Sequence, residues 1–522
     1  MNPALKESRS RREFRNEVYL EYGAADFHDV CCSLVKDHRA LLRLMFGTDE
    51  RLRDGSFRIY AVFSIPGQDR FLIPVLQLGD KESSFPSITS EVPAAQWYER
   101  EISDMFGLSP EGHPDTRRLV FHEAFPAGSH PLRKDWSITD EEKAVWGEGR
   151  KINVPHPFME VAGEGIVQIP VGPVHAGVIE PGHFRFSAIG ETIFFLEPRL
   201  FYTHKGTEKH FESFGFSDGV RLAERVSGTD SFSHGVAYCM AVERMMGIEI
   251  TEKAAAVRTL GMELERLYNH IGDIGFLCAG TALAVGYAKG AVIREELQCL
   301  NERLTGSRYL RGVNAVGGVT TDMLEHADDL LRTLDSVTVE YKSMMKLLLS
   351  SVSHVERLEN TGKLSRDIAA RLGVTGVAAR ASGLADDVRK SHPHLLYDRM
   401  IFEAHTLEKG DVLARMLIRG EEAECSISMV HELLESSYRG GLTVAVKRPE
   451  AYASALGYVE SPRGSLFYWV MSDKEGKPFR VKLRTPSYCN WPAVPFAVHG
   501  NIVPDFPLCN KSFNLSYSGC DR

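Results

Sequence analysis

Apolar residues recur at three- and four-residue spacing through the middle of the chain, from about residue 207 to about residue 435. The pattern is most regular in VRTLGMELERLYNHIGDIG (257–275) and in the long segment 325–358, and it is typical of amphipathic helices. Long helices bury such stripes by packing against one another, so we predict a helical bundle. Glycines and Lys289 interrupt the apolar run 275–293. That interruption predicts a helix end, a turn and a new helix rather than a membrane span.

Short runs of β-branched and aromatic residues flank the helical region on both sides. SFRIYAVFSI and RFLIPVLQL follow a predicted helix over HDVCCSLVKDHRALLRLMFG, and Gly, Pro and Asp bound these runs. This pattern predicts strands of a small α/β domain. Strand-like runs return in GIVQIPVGPVHAG and HFRFSAIGETIFFLEPRLFY, and again beyond residue 440 in GYVESPRGSLFYWVMSD and PFRVKLRTPSY.

These elements predict an α+β fold with two domains. The first is a small α/β domain, residues 1–136, and a polar linker follows over residues 137–165. The second, residues 166–522, is a large and mainly helical bundle with small flanking β-sheets. A chain of 522 residues has ample length for cores of this size.

Composition narrows the class of protein. Hydrophobic residues make up 43% and charged residues 25%, which is ordinary for a soluble globular protein. A net charge of −9 argues against nucleic acid as a partner. The charged N-terminus does not predict a secretory signal. Nine cysteines without any C-x-x-C pair predict free thiols in a reducing cytoplasm, and no local zinc or iron–sulfur motif.

The segment ERVSGTDSFSH (224–234) is the first candidate for chemistry. Ser227 and Asp230 have the spacing of a metal-binding Cys-x-x-Cys pair, but neither is a cysteine. A structural alternative is that Ser227, Thr229 and Asp230 cap the helix that follows. Asp230 and His234 could also pair on that helix.

Four other segments carry candidate residues with equally plain structural alternatives. His175 and His183 lie in a predicted strand–loop–strand segment, where exposed turn histidines are common. Glu208 follows a Gly-Thr pair, where a first-turn acid is ordinary, although it could also relay protons. Arg484 lies near a predicted strand, where solvated arginines are common, and Cys520 is a lone thiol near the terminus.

Taken in order, the motifs resemble a known family. WYEREISDMFG, GHPDTRRL and HPLRKDW are similar to the signature of the complex I C subunit. GPVHAGVIEPGHFRF, HKGTEK, ELERLYNHIGDIG, LTGSRYLRGVNAVGGV, ESPRGSLFYW and KPFRVKLRTPSY resemble the large subunit of energy-converting membrane-bound [NiFe] hydrogenases. The resemblance is to the hydrogenase-4 and formate hydrogenlyase type, which is related to the fused C and D subunits of complex I.

The resemblance implies that the nickel ligands are missing. Hydrogenase relatives read E-R-V-C-G-I-C-G-F-A-H and approximately S-L-D-P-C-Y-S-C-T-D-R at segments that align here without a gap. The four cysteine positions, called the four ligand positions below, carry Ser227, Asp230, Ser516 and Gly519. Cys520 lies one place beyond the last of them. Nickel and iron need soft thiolate ligands, so the chain is expected to bind no cofactor of its own, with iron–sulfur clusters in its partner subunits.

Complex I relatives also lack these cysteines and use the emptied cavity for a quinone head group. The tyrosine that binds quinone there corresponds to Gly228 here, so the quinone pattern is incomplete and quinone stays an alternative ligand. The family's R-G-x-E glutamate matches Glu208, but its arginine is Lys205, which lacks the planar donor fork. The resemblance implies a proton-rich cavity lined by His175, His183, Glu208, Asp230, His234 and Arg484.

The function expected from the resemblance is that of a large subunit without a nickel–iron centre in a complex-I-like membrane oxidoreductase. It would couple redox or proton events at the remodelled cavity to ion translocation, and the isolated chain would be inactive. The expected partners are a small iron–sulfur subunit similar to the complex I B subunit, a ferredoxin-like iron–sulfur subunit, and membrane subunits similar to the H subunit and to antiporters. They would hold the chain at the cytoplasmic face of the membrane. The alternatives are a subunit that reduces quinone or another small acceptor, a scaffold, and last an active hydrogenase.

Overall fold

The structure is a computed structural model that describes residues 7–139, 155–177 and 179–522. Its strands are β1 (Ser10–Phe14), β2 (Glu17–Tyr22), β3 (Leu41–Glu50), β4 (Ser56–Ser64), β5 (Phe71–Gly79), β6 (Ser84–Pro86), β7 (Ser109–Glu111), β8 (Ile166–Val171), β9 (His183–Ile189), β10 (Thr192–Arg199), β11 (Asn314–Ala315), β12 (Gly318–Val319), β13 (Ser454–Ser461), β14 (Gly464–Ser472) and β15 (Pro478–Arg484).

Its α-helices are α1 (Ala24–His38), α2 (Arg51–Asp54), α3 (Gln96–Phe106), α4 (Thr207–His210), α5 (Gly219–Ala223), α6 (Ser231–Met245), α7 (Glu252–Gly280), α8 (Ala284–Thr305), α9 (Ala327–Ser350), α10 (Val352–Leu358), α11 (Arg366–Arg371), α12 (Gly376–Ala381), α13 (Val388–Ser391), α14 (Val412–Glu435), α15 (Pro486–Asn490), α16 (Val494–Val498), α17 (Phe506–Phe513) and α18 (Tyr517–Asp521). No helix in the described ranges combines the length and the apolar character that crossing a bilayer requires.

The N-terminal region is built on a five-stranded sheet with the order β1-β2-β5-β4-β3. Only β2 and β5 pair in parallel. The predicted helix over residues 28–47 is half wrong, because α1 ends at His38 and residues from Leu41 onward form β3. Nine of the ten residues of β3 are buried, so its apolar run has no alternation, and periodicity cannot separate such a strand from a buried helix.

The predicted bundle is confirmed, with the 29-residue α7 at its centre. The predicted break in the apolar run 275–293 is also present, since α7 ends at Gly280 and α8 begins at Ala284. A Cβ on Gly275 would lie 2.7 Å from the Cα of Gly290, so these two glycines let α7 and α8 pack backbone against backbone. The predicted helix 325–358 is instead two helices, because Ser351 adopts an extended conformation between α9 and α10.

The antiparallel sheet β13-β14-β15 separates two apolar cores. Phe467, Trp469 and Met471 of β14 belong to the core shared with the N-terminal sheet. The alternate residues Leu466, Tyr468 and Val470 belong to the core of the helical region. Because successive side chains of a strand point to opposite faces, this one sheet forms a wall of both cores.

The N-terminal region therefore packs directly on the C-terminal strands, along an interface we call the seam. Arg43 of β3 makes two hydrogen bonds of 2.6 Å to Asp386, and Glu17 accepts the backbone N–H of Leu456 at 3.0 Å. The predicted domain boundaries at 136 and 166 stay a prediction. Residues 140–154 of the predicted linker lie outside the described part of the chain.

Candidate functional site

Two stretches that lie far apart in the sequence meet at the site. The loop before α6 carries Ser227, and the C-terminal segment around α18 carries Ser516 and Gly519. Ser227 Oγ donates a hydrogen bond to Ser516 Oγ at 3.2 Å. A Cβ atom on Gly519 would lie 3.0 Å from Ser516 Oγ and 3.4 Å from the Cβ of Ser227. Three of the four ligand positions therefore adjoin one another in space.

Hydroxyl groups connect these positions to the fourth, Asp230. Ser518 Oγ lies 3.3 Å from Ser516 Oγ, which accepts from Ser227 Oγ. Ser227 Oγ lies 2.9 Å from Thr229 Oγ1, and Thr229 Oγ1 donates to Asp230 Oδ1 at 2.8 Å. The result is a continuous chain of four hydroxyls that ends on a buried carboxylate, which we call the hydroxyl chain.

Asp230 occupies the N-cap position of α6, but its side chain does not cap the helix. Glu265 of α7 takes that role and accepts the backbone N–H groups of Phe232 at 2.7 Å and Ser233 at 3.0 Å. Burial raises the pKa of Glu265 to about 8; the donors of Ser233 oppose the rise and the nearby Asp230 adds to it. Two carboxyl groups thus lie at the start of α6, and burial raises the pKa of one of them, Glu265.

His234 is fully buried one turn into α6 and does not use Asp230 as its side-chain partner. Its Nδ1 lies 2.7 Å from the hydroxyl of Tyr468. Burial lowers the pKa of His234 to about 4, against the opposing effect of Asp230, so the ring is neutral at neutral pH. The pKa of Tyr468 is raised well above its ordinary value, first by burial and then by Tyr238, Asp230 and Glu208. Tyr468 is therefore close enough to Asp230 and to Glu208 for both to affect its pKa.

Glu208 is buried at the start of α4 among three cations. Its Oε2 lies 2.8 Å from a guanidinium nitrogen of Arg480, and its Oε1 lies 3.0 Å from Lys482 Nζ and 3.1 Å from Arg522. Burial raises the pKa of Glu208, but Lys482, Arg480 and Arg522 lower it by more, so the net effect is a lowered pKa. Glu208 is a carboxylate at neutral pH.

Arg484 lies next to the site but its guanidinium faces the seam. Its Nε donates to the backbone oxygen of Arg43 at 2.7 Å, and another nitrogen donates to Ser465 Oγ at 3.1 Å. The adjacent Thr485 contacts the C-terminal segment directly, since its Oγ1 donates to the carbonyl of Gly519 at 2.8 Å. Arg484 therefore connects the site to the N-terminal region.

His175 and His183 make contacts within their own loop. His175 Nε2 lies 2.8 Å from the carbonyl of Gly182, and His183 Nδ1 lies 3.2 Å from the carbonyl of Gly172. Burial lowers the pKa of His183. The loop itself reaches the site, because Glu180 accepts the backbone N–H of Ser518 at 2.9 Å.

The structure thus divides the predicted residues into four groups. Asp230 and His234 lie on the loop and helix of the ligand positions, and Glu208 lies in a cation cluster. Arg484 faces the seam, and His175 and His183 lie at the edge of the site. Their joint role in one cavity stays a prediction. Sequence reasoning missed Glu265, Glu101 and Lys482. The alternation of Arg480, Lys482 and Arg484 along β15 was a visible signal for a basic strand face.

The donor set at the four ligand positions does not fit a nickel–iron centre. It offers two hydroxyls, one carboxylate and a glycine, whereas such a centre needs thiolates. Cys520 does not replace them, because it is fully buried and its pKa is raised well above the ordinary value by burial and then by Asp521. Within the described ranges, no three His, Cys, Asp or Glu side chains are placed to share a metal ion.

Comparison with family models gives two matches. Residues 281–455 and 442–522 match the model of the 49 Kd subunit of respiratory-chain NADH dehydrogenase. Residues 20–142 match the model of its 30 Kd subunit.

Individual relatives give the same picture. Hydrogenase-4 component G of Escherichia coli K12 is 35% identical over 95% of this chain and 86% of its own length. Formate hydrogenlyase subunit 5 of the same organism is 34% identical over 92% of this chain and 84% of its own length. A chain of the membrane-bound sulfane sulfur reductase, an archaeal respiratory membrane complex, superimposes with a TM-score of 0.64 at 27% identity. That match covers 70% of this chain and all of the other.

Proposed function

The chain belongs to the family that includes hydrogenase-4 component G and formate hydrogenlyase subunit 5, and on this basis we propose that it is the large subunit of a complex-I-like, energy-converting membrane oxidoreductase that works without a nickel–iron centre. The observation that carries the proposal is the donor set at the four ligand positions. Ser227, Ser516 and Gly519 lie next to one another, but none of the four positions carries a thiolate.

Proton transfer is the chemistry that this remodelled site supports. Hydroxyls both donate and accept hydrogen bonds, so the hydroxyl chain can pass a proton between Ser518 and Asp230 when each hydroxyl rotates. Two carboxyl groups then lie at one end of the chain, Asp230 and Glu265, and burial raises the pKa of Glu265 to about 8. General acid–base groups placed in this way hold a proton near a reacting centre. Electrons would stay on an iron–sulfur cluster of a partner subunit.

The assembly we propose follows from the family. A small iron–sulfur subunit and a ferredoxin-like iron–sulfur subunit would deliver electrons near the site. Membrane subunits similar to the complex I H subunit and to antiporters would carry ions, and they would hold this chain at the cytoplasmic face of the membrane. The N-terminal region would brace the site, since Arg43 binds both Asp386 and Arg484 across the seam.

The test is metal analysis of the intact purified complex, with infrared detection of iron-bound cyanide and carbonyl. We expect no nickel, no such bands, and iron that matches the partner clusters alone. Stoichiometric nickel together with those bands would contradict the proposal. In the same complex, Asp230→Asn removes the ionisable end of the hydroxyl chain with little change in size. We expect it to reduce turnover by about tenfold or more, whereas unchanged turnover of Asp230→Leu would indicate a scaffold.

A second candidate function is the reduction of a small acceptor at the site. The matches to the 49 Kd and 30 Kd subunits of NADH dehydrogenase favour quinone, and the fold shared with the sulfane sulfur reductase suggests a sulfur compound. The contact between Glu180 and Ser518 brings the histidine loop to the site. Turnover of the complex with a soluble quinone or with polysulfide, lost in His175→Ala, would support this function. His210→Ala, which changes an exposed histidine on α4, is the matched control. No response to either acceptor would count against it.

A further inference from the structure

Five charged side chains are buried together where the N-terminal region meets the C-terminal strands. Glu101 comes from α3, Glu208 from α4, Arg480 and Lys482 from β15, and Arg522 follows α18. Each is at most 6% exposed. Buried charges are stable only when they are paired and hydrogen-bonded, so the partners of each charge decide what the cluster can do.

Lys482 and Arg522 connect the two carboxylates. Lys482 Nζ contacts a carboxylate oxygen of Glu101 and lies 3.0 Å from Glu208 Oε1. Arg522 lies 2.8 Å from Glu101 Oε2 and 3.1 Å from Glu208 Oε1. Tyr488 donates its hydroxyl to Glu101 Oε2 at 2.9 Å. The carboxylate of one region is therefore joined to the carboxylate of the other by shared cations.

A small cavity opens beside this cluster. Its volume is about 30 Å³, and its lining includes Glu101, Glu208, Arg522, His204 and Lys209. A cavity needs a volume of roughly 10–15 Å³ for each water molecule that it holds, so this cavity has room for about two. His204 is exposed and Lys209 is half-buried, so water in the cavity lies close to solvent.

Lys482 is the one cation of the cluster that can release a proton, since arginine stays protonated in proteins. Burial and the neighbouring Arg522 lower the pKa of Lys482, and Glu101 and Glu208 only partly restore it. The groups that face Lys482 are the carboxylates Glu101 and Glu208 and the guanidinium groups Arg480 and Arg522; Tyr488 and His204 flank these.

We propose that Glu101, Lys482 and Glu208 form a proton-exchange site at the seam, through which the buried interior exchanges protons with solvent. The Lys482 ammonium passes a proton to one of the two carboxylates, which leaves a neutral amine and a carboxylic acid. This acid is short-lived, because the surrounding cations lower the pKa of both carboxyl groups. Water in the cavity takes the proton from the acid, and the neutral amine accepts the next proton from the buried interior. The N-terminal region thus supplies a working residue, Glu101, and does more than brace the site. The inference deepens the proposed proton-handling function and names its route to solvent.

The first test uses Lys482→Arg in the intact complex. Arginine keeps the charge and the ion pairs, but it cannot give up its proton. We expect turnover to fall by about a hundredfold, as general acid–base groups typically contribute, with assembly unchanged. Lys134→Arg is the matched control. Lys134 is a partly buried lysine at the same seam, 2.8 Å from Glu212, and its replacement is expected to leave turnover unchanged. Full turnover of Lys482→Arg would overturn the proposal.

A second readout needs no turnover and so separates this inference from the proposed function. The free energy of unfolding of the full-length chain is measured in urea from about pH 6 to about pH 10. This range lies just below the ordinary pKa of a lysine in an unfolded chain. Because the pKa of folded Lys482 is depressed, stability rises with pH as the unfolded chain binds the extra proton. Glu101→Gln removes a carboxylate partner and depresses that pKa further. Its stability deficit is therefore expected to shrink as pH rises.

In the background of Lys482→Arg, the deficit of Glu101→Gln is expected to be the same at every pH. A deficit of Glu101→Gln that is independent of pH in the parent chain would show a purely structural role and would overturn the proposal. Glu101→Asp keeps the carboxylate and provides the same comparison if Glu101→Gln does not fold. We expect it to restore most of the parent's pH dependence.

Discussion

Glu265→Gln tests the electrostatics of the candidate site most directly, because Glu265 lies beside Asp230 and caps α6. Burial raises the pKa of this carboxyl from 4.5 to about 8 in the folded chain. Between those two values the folded chain holds a proton that the unfolded chain has lost. Stability from this group is therefore complete below about pH 4 and falls as the pH rises towards 8. The rise of this pKa from 4.5 to about 8, at ~1.4 kcal/mol for each pH unit, removes roughly 5 kcal/mol of unfolding free energy across that range.

The assay is urea unfolding of the full-length chain, parent and variant, at a series of pH values from about 4 to about 8.5. The amide of glutamine does not titrate, so the difference between the two curves isolates Glu265 from every other titrating group. At low pH the variant is expected to be less stable by about 1 kcal/mol, because one amide oxygen replaces two acceptors. As the pH rises, the variant should overtake the parent. Glu356→Gln, at an exposed position on α10, should show no such crossing.

One result would refute this reasoning. If the parent gains stability relative to Glu265→Gln between about pH 5 and about pH 8, the carboxylate is ionised in the folded chain. The two backbone N–H groups and the partial positive charge of the helix N-terminus would then outweigh burial. Glu265 would in that case carry a negative charge beside Asp230, and it would hold no proton for the hydroxyl chain.

Three further predictions concern the seam and the ligand positions. Arg43→Met and Asp386→Leu should each cost about 3–5 kcal/mol of unfolding free energy, and the double variant should cost much less than their sum; additive losses in urea unfolding would contradict this coupling. Cysteine at all four ligand positions should let the chain bind Co²⁺ with a thiolate charge-transfer absorption band that the parent lacks; no band would mean that the positions do not converge. Cys520 should resist alkylation until the chain unfolds, whereas the partly exposed Cys299 should react in the folded chain; equal rates would contradict the burial of Cys520.

Much of the fold was predictable from the sequence, for reasons that differ between regions. The strands β4, β5, β9 and β10 are bounded by turn residues, and α7 keeps its helical period, so local pattern was sufficient there. β3 was predicted as a helix because it is buried on both faces, and the 325–358 helix was predicted without its break at Ser351. In both cases long-range packing determines the backbone conformation, and the periodicity of apolar residues does not contain that information.

The candidate site shows the same division. The meeting of Ser227 with Ser516 and Gly519 was predictable because the resemblance to a family carries spatial information that spacing alone lacks. The partners of Glu208 were not predictable in the same way. Glu101 and Lys482 are 381 positions apart, and only the folded chain brings their side chains into contact. Glu265 is one of several acidic residues on the predicted helix α7. Nothing in its local sequence indicates that its side chain caps another helix, α6.

The pairing of Glu101 with Lys482 also sets an order of events during synthesis of the protein. A ribosome that adds about 5–20 residues per second needs on the order of 20–80 s to produce the 381 positions that separate the two side chains. Through that interval the C-terminal strands are missing, so Glu101 and Arg43 have no partners from them. One side of the N-terminal core is exposed to water. Closure of the seam is therefore a late step of folding, and any agent that shields this face of the nascent chain would act before the C-terminal strands arrive.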